Sequence, residues 1–235
     1  MNEPYYVGIY WQQGVSSASE CAVKLALFLQ QLAQQDAIFE RWYQTSRSRS
    51  KALNLPIQAN EQVLETLLAK KQPTNSDFGY NLKIWTGNSD LVSATVSFRC
   101  GCNNRKLPGL LNLCLVELPI DDTGLASILR LDTLTNIMKI GVEIWNADYA
   151  VVTSNDYLKS FLDRGVSTTK IGLLTYVQTS NDDLPSLGTD FQVERFLKGV
   201  LVTTRSVLSA ENPNDIQTIL VADDQLAKYL SNSSL

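Results

Sequence analysis

The chain has 235 residues, of which 44% are hydrophobic and 19% charged, with a formal net charge of −4 and no histidine. This composition is typical of a folded globular protein and excludes both a disordered chain and a membrane-embedded one. The absence of histidine excludes Ser-His-Asp and Cys-His catalysis, which need an imidazole as the general base, and leaves a carboxylate pair, a Ser-Lys pair or a carboxylate-bound metal open.

The first half of the chain begins with a strand and a helix. The strand is predicted over Tyr5–Trp11, because this segment is rich in aromatic and β-branched residues. The helix is predicted over residues 20–34, where apolar side chains recur on one face and Ser17 or Ser19 can cap the first turn. The basic segment Ser46–Lys51 is polar and rich in serine, which predicts a loop.

A second helix and three strands complete the first half. Asn60 is the predicted N-cap of a helix over Glu61–Lys70, whose basic C-terminal end interacts favourably with the helix dipole. The three strands are separated by turns that contain glycine, and we therefore expect them to form an antiparallel meander. They are predicted at Asn81–Trp85, Val92–Arg99 and Leu111–Leu118.

The second half combines helices and strands in a similar order. Helices are predicted at Leu125–Met138, Asp156–Leu162 and Ile216–Leu230, and strands at Tyr149–Thr153, Lys170–Gln178 and Gly199–Thr204. Because helices and hairpins do not strictly alternate, the predicted fold class is α+β, with a mixed, largely antiparallel sheet and helices packed on it. Residues 1–235 are expected to form a single domain, or two similar lobes that meet near residue 120, with a frayed tail at 231–235.

No targeting or membrane segment is recognisable in the sequence. The first residues, Met1–Pro4, are acidic, whereas a signal peptide begins with basic residues. No apolar run approaches the roughly 18 residues of a membrane span. The cysteines are Cys21, Cys100, Cys102 and Cys114, without the second ligand pair that a zinc site needs. We therefore expect free thiols, no metal or cofactor, and a location in the reducing cytoplasm.

Acidic residues are concentrated in the second half of the chain. Residues 1–120 contain 11 basic and 9 acidic residues, whereas residues 121–235 contain 9 basic and 15 acidic residues. Acidic loops attract a basic partner and speed its association, although aspartate is also common in loops for purely local reasons. Trp145 is placed in a polar loop, where a tryptophan can anchor an interface. The predicted partner-binding residues are Asp121, Asp122, Trp145, Asp182, Asp183 and Asp190.

A series of short motifs follows along residues 5–205. They are Tyr6–Trp11, Cys21–Ala22, Phe28–Leu32, Phe39–Trp42, Phe78–Tyr80, Ile84–Gly87, Arg99–Gly101, Val116–Pro119, Trp145–Ser154 and Ile171–Tyr176. In this order and spacing they resemble the bacterial immunity protein 52 family. One departure is the segment Gln12–Val15 after the first strand, where the resemblance leads us to expect a charged residue.

The resemblance implies a protein that protects a bacterium from a toxin used in competition between bacteria. Such proteins bind their cognate toxin stoichiometrically and block or distort its active site. For this family the toxin is commonly a nuclease, delivered by a type VI or contact-dependent system. The resemblance therefore implies a cytoplasmic, non-enzymatic toxin inhibitor that binds neither nucleic acid nor membranes.

Two alternative functions stay open at this point. The first is an enzyme that uses carboxylates with a divalent metal, which would need acidic residues from separate segments to converge in one pocket. The second is a nucleic-acid binder that uses Arg47, Arg49 and Lys51 to contact phosphates. The net negative charge of the chain argues against the second alternative, because nucleic-acid-binding domains are usually basic.

Overall fold

The computed structural model describes residues 5–12, 16–89, 91–107, 109–120, 128–162, 171–205 and 212–231. Strands β1 to β10 cover Tyr5–Trp11, Trp42–Gln44, Pro56–Ile57, Tyr80–Trp85, Thr95–Cys100, Asn112–Glu117, Tyr149–Ser154, Leu174–Gln178, Phe191–Phe196 and Gly199–Thr204. Helices α1 to α6 cover Ala18–Leu32, Arg49–Leu53, Glu61–Lys70, Leu131–Trp145, Asn155–Leu162 and Pro213–Ser231. Short 3₁₀ helices lie at Ala37–Glu40 and Ser76–Phe78.

The strands form one sheet in the order β3-β2-β4-β5-β6-β1-β7-β8-β10-β9, and each pair of neighbours is antiparallel. Strand β1 lies inside the sheet, where Tyr6 is opposite Glu117 of β6 on one side and Thr153 of β7 on the other. The strands from the first half of the chain therefore lie on one side of β1, and those from the second half lie on the other. The predicted α+β class with a largely antiparallel sheet is confirmed.

One face of the sheet is covered by α1, α3 and α4. The apolar sides of these helices pack on alternate strand residues, since successive residues of a strand point to opposite faces. In β1 the inward residues are Val7, Ile9 and Trp11, all buried. Helix α4 comes very close to β1 at Gly141, where an added Cβ atom would lie 2.1 Å from Ile9 Cδ1. A larger residue at this position would displace the end of the Ile9 side chain.

The opposite face is covered by α5 and α6 over the strands of the second half. Tyr176 and Leu201 belong to the first core, whereas their chain neighbours Val177 and Val202 belong to a second apolar cluster with α5 and α6. Strands β8 and β10 are therefore covered by helices on both faces. Consecutive residues of both strands are accordingly buried, rather than every second one.

Local capping contacts explain where the helices begin and end. At α1 the Glu20 N–H donates to Ser17 Oγ at 3.2 Å, and the Ser17 N–H donates to Glu20 Oε2 at 2.7 Å, a reciprocal capping box. The hydrogen bonds that the Ser17 N–H and hydroxyl donate to the Glu20 carboxyl lower its pKa. Helix α3 follows its cap Asn60 and covers the predicted residues. Helix α4 ends at Asn146, whose left-handed φ of 47° is well tolerated by asparagine.

Three parts of the observed secondary structure differ from the prediction. The helix predicted at Leu125–Met138 is observed as α4, which begins and ends later, and residues 121–127 lie outside the described residues. The predicted loop Ser46–Lys51 contains the start of α2, which is capped by Ser48. Strand β9 is missed by the sequence pattern, because it is an edge strand with polar and charged residues among its apolar ones.

Cys21 and Cys100 form a disulfide that ties α1 to the end of β5. The prediction of free thiols is therefore wrong for this pair, because only the packing of α1 on the sheet brings together cysteines 79 residues apart. Cys102 and Cys114 are free and buried, and burial raises the pKa of both thiols. Disulfides persist in oxidising compartments, so the cysteines no longer support a reducing cytoplasm.

Candidate functional site

Trp145 lies at the end of α4 and is completely buried, with 0% of its surface exposed. The centroid of its ring system lies 5.2 Å from that of Trp11, 4.5 Å from that of Phe28 and 5.9 Å from that of Phe98. The ring is therefore the centre of an aromatic core between α1, α4 and the sheet. The prediction of a polar loop at Trp145 is wrong, and the buried ring is not available to a partner in this fold.

Of the predicted acidic residues, Asp182, Asp183 and Asp190 are exposed, but they lie at opposite ends of the sheet. Asp182 and Asp183 follow β8, and the Asp183 carbonyl accepts a hydrogen bond from Arg195 near the C-terminal end of β9. Asp190 precedes β9, and its carbonyl accepts the N–H of Arg205 at 2.9 Å. The length of β9 separates the two positions, on the order of 15 to 20 Å. These carboxylates therefore do not converge in one pocket.

Side chains from β9 and α6 hold the loop that carries Asp182 and Asp183. The Arg195 guanidinium donates to the carbonyls of Asn181 and Asp183, the second at 2.6 Å. The Tyr229 hydroxyl donates to the Asp183 carbonyl at 2.7 Å. The side-chain amide of Asn181 donates to the backbone carbonyl of Tyr229 at 2.8 Å. The bonds from Arg195 and Tyr229 use the loop backbone, and the Asp182 and Asp183 side chains stay exposed and form no ion pair with any described residue.

A cavity of about 800 Å³ lies at this end of the sheet. It is lined by the loop after β8, by the turn between β9 and β10, and by the end of α6. The turn has two residues, Leu197 and Lys198, because Phe196 and Gly199 are paired. Leu197 has a φ of 50° and is 58% exposed. Sequence reasoning missed this turn, because Leu-Lys lacks the Asn-Gly or Gly-X pattern that marks a tight hairpin.

A second cavity, of about 570 Å³, lies at the opposite end of the sheet beside α2. Glu117 lines it and accepts a hydrogen bond from Lys83 at 3.2 Å. Arg49, from the predicted basic segment, donates to the carbonyl of Gly87 at 3.2 Å. Burial raises the pKa of Tyr6, which also lines this cavity, to about 12. The charged groups of this cavity are thus engaged with neighbours inside the protein.

Two of the predicted site residues, Asp121 and Asp122, lie outside the described residues. Within the described ranges, no group of three or more cysteine and carboxylate side chains could hold a metal ion. In the same ranges, no helix is both long and apolar enough to cross a membrane.

Comparison with known proteins connects this fold to one family. A family model described as immunity protein 52 matches residues 3–229. A solved structure, the Pseudomonas aeruginosa T6SS protein PA0821, is similar with a TM-score of 0.55 and 10% sequence identity, and the match covers 94% of this chain and 72% of that one. At this identity the likeness concerns the fold alone. No curated protein matches the chain in sequence.

Proposed function

Because the chain belongs to the immunity protein 52 family, we propose that it neutralises a cognate antibacterial toxin by binding to it stoichiometrically. The observation that carries this proposal is the family match over residues 3–229, nearly the whole chain. The family suggests an inhibitor rather than an enzyme. Inhibition by binding needs a stable scaffold and a complementary surface, and it needs no reactive groups.

We further propose that the toxin is a nuclease effector of a type VI or contact-dependent system. The resemblance in fold to a T6SS protein supports the type VI route. Inhibition of such a toxin would take place in the cytoplasm, where a nuclease reaches its substrate. A Cys21–Cys100 disulfide in the protein isolated from its own cell would instead indicate an oxidising compartment and a toxin that acts there.

The proposed interface is the end of the sheet that carries Asp182 and Asp183. Their loop is fixed by hydrogen bonds to Arg195 and Tyr229, so little conformational entropy would be lost on binding. The exposed carboxylates would attract a basic surface on the toxin. Asp190, at the other end of β9, marks an alternative surface, and charge-reversal variants can test it and the pair Asp121 and Asp122 separately.

The test of this function is co-expression with the toxin encoded by the neighbouring gene. A toxin-sensitive bacterium should survive only when this chain is produced, and the two proteins should elute together from a pull-down and a sizing column. If the toxin is a nuclease, purified chain should also stop the degradation of DNA or RNA in vitro. The absence of both protection and a complex would contradict the proposal.

A further inference from the structure

The turn between β9 and β10 contains a residue in an unfavourable backbone conformation. Leu197 has a φ of 50°, in the left-handed region where a side chain with a Cβ atom is crowded by its own backbone. Asn146 is the other non-glycine residue of the described chain with a positive φ, but it ends a helix, where asparagine is common. A two-residue hairpin with this geometry at its first position normally has glycine there.

The neighbours of Leu197 fix the turn in place. The Lys198 carbonyl accepts the N–H of Thr179 at 3.0 Å, which attaches the turn to the end of β8. Gly199 packs so tightly that an added Cβ would lie 2.3 Å from the Val177 carbonyl oxygen. The backbone of the turn is therefore determined by its surroundings. Leucine at position 197 has to adopt the conformation that these contacts impose.

The leucine side chain does not gain burial in return. Leu197 is 58% exposed, which equals the largest exposed fraction among the large apolar residues described. Glycine would remove the backbone strain, and asparagine would tolerate the same φ with a polar side chain in water. The stability of the isolated fold therefore does not explain a leucine here, and strained, exposed residues are typical of functional sites.

The surroundings of Leu197 resemble the arrangement of a protein interface. The Asp148 carboxylate accepts a hydrogen bond from the N–H of Gln12 at 2.7 Å, and the Arg195 guanidinium donates to carbonyls of the loop. The Arg195 guanidinium keeps its positive charge, because carbonyls are neutral, so Asp182, Arg195 and Lys198 place charges of both signs in the cavity that Leu197 lines. The Asp183 side chain is exposed in the same loop. An apolar contact with a polar and charged rim is the general arrangement of a protein interface.

We infer that Leu197 is an anchor residue that inserts into an apolar pocket of the toxin, while basic side chains beside that pocket face Asp182 and Asp183. This inference rests on the proposed function and specifies which surface performs it. The fixed turn presents the leucine in one orientation before binding, which reduces the entropy lost in the complex. Backbone strain at Leu197 is thus maintained because it places an apolar side chain where the toxin can reach it.

The test compares two glycine variants at equally exposed leucines. Leu197→Gly should raise the melting temperature by about 2 to 4 °C, because the strain is removed, and should weaken binding of the purified toxin at least tenfold. Leu91, also 58% exposed, lies in the turn between β4 and β5 and has an ordinary φ. Leu91→Gly should therefore leave the dissociation constant unchanged and should not raise the melting temperature.

A third variant separates the side chain from the backbone. Leu197→Asn keeps a residue that tolerates positive φ but removes the apolar group, and it should lose binding to the same extent as Leu197→Gly. If both Leu197 variants bind the toxin with the affinity of the wild-type chain, the anchor role of Leu197 is overturned and the immunity function still stands. A lower melting temperature for Leu197→Gly would overturn the strain argument. Failure of the wild-type chain to bind the toxin would overturn the proposed function itself.

Discussion

Truncation of Trp145 should destabilise the protein strongly without acting on toxin recognition directly. The ring is completely buried and contacts three aromatic neighbours: Trp11, Phe28 and Phe98. Large-to-small changes of a buried aromatic residue cost about 3 to 5 kcal/mol of unfolding free energy. Each lost aromatic pair contributes about 0.5 to 1.5 kcal/mol, so Trp145→Ala should cost close to 5 kcal/mol. For a chain of this size that corresponds to a melting temperature lower by about 10 to 20 °C.

A milder substitution separates the core role of Trp145 from any contact with a partner. The Trp145 Nε1–H is buried and has no hydrogen-bond partner among the described residues, a defect that costs about 1 to 3 kcal/mol. Trp145→Phe removes this group along with part of the ring, so the net loss should be only about 1 to 2 kcal/mol. Urea unfolding measures both variants, and toxin affinity is measured for Trp145→Phe.

Two results would refute the assignment of Trp145 to the core. The first is a loss below about 1 kcal/mol for Trp145→Ala, which would mean that the ring is not packed as described. The second is a Trp145→Phe variant that keeps its stability but no longer binds the toxin. That result would return Trp145 to the interface, as the sequence suggests.

Three further predictions concern the disulfide, the acidic loop and the alkaline limit of stability. Reduction of the Cys21–Cys100 bond, which spans 79 residues, should lower the unfolding free energy by up to about 4.5 kcal/mol, and a thiol titration of the denatured chain should count two free thiols before reduction and four after it. The double variant Asp182→Lys/Asp183→Lys should slow association with the toxin about tenfold at low salt; an unchanged rate in stopped-flow measurements would place the interface elsewhere. Burial raises the pKa of Tyr6 to about 12, so the fold favours its neutral form; stability should be full below pH 10 and should fall as the pH rises from 10 to 12, less steeply in Tyr6→Phe.

Several elements could be predicted because local sequence determines them. Strand β1 is a compact aromatic and branched run, and α3 lies between the cap Asn60 and the terminal Lys70. The helix predicted at Leu125–Met138 stops before Gly141, whereas α4 continues through this glycine to Trp145. In the structure this glycine lets α4 approach Ile9 of β1, which is a tertiary requirement that no local pattern expresses.

The candidate site depended on tertiary structure to a larger degree. The acidic clusters are visible in the sequence, but only the position of β9 shows that Asp190 lies apart from Asp182 and Asp183. The position of Leu197 in a strained turn follows from the pairing of β9 with β10, and β9 itself gave no clear pattern. In the sequence, Leu197 is visible only as an apolar residue between two strands. This observation becomes informative only when the backbone conformation is known.

Titration of the active toxin with this chain tests the central claim most directly. The account predicts that toxin activity falls in proportion to added chain and reaches zero at one equivalent, and that calorimetry gives a one-to-one complex under the same conditions. Full toxin activity in the presence of excess folded chain, with no heat of binding, would contradict it.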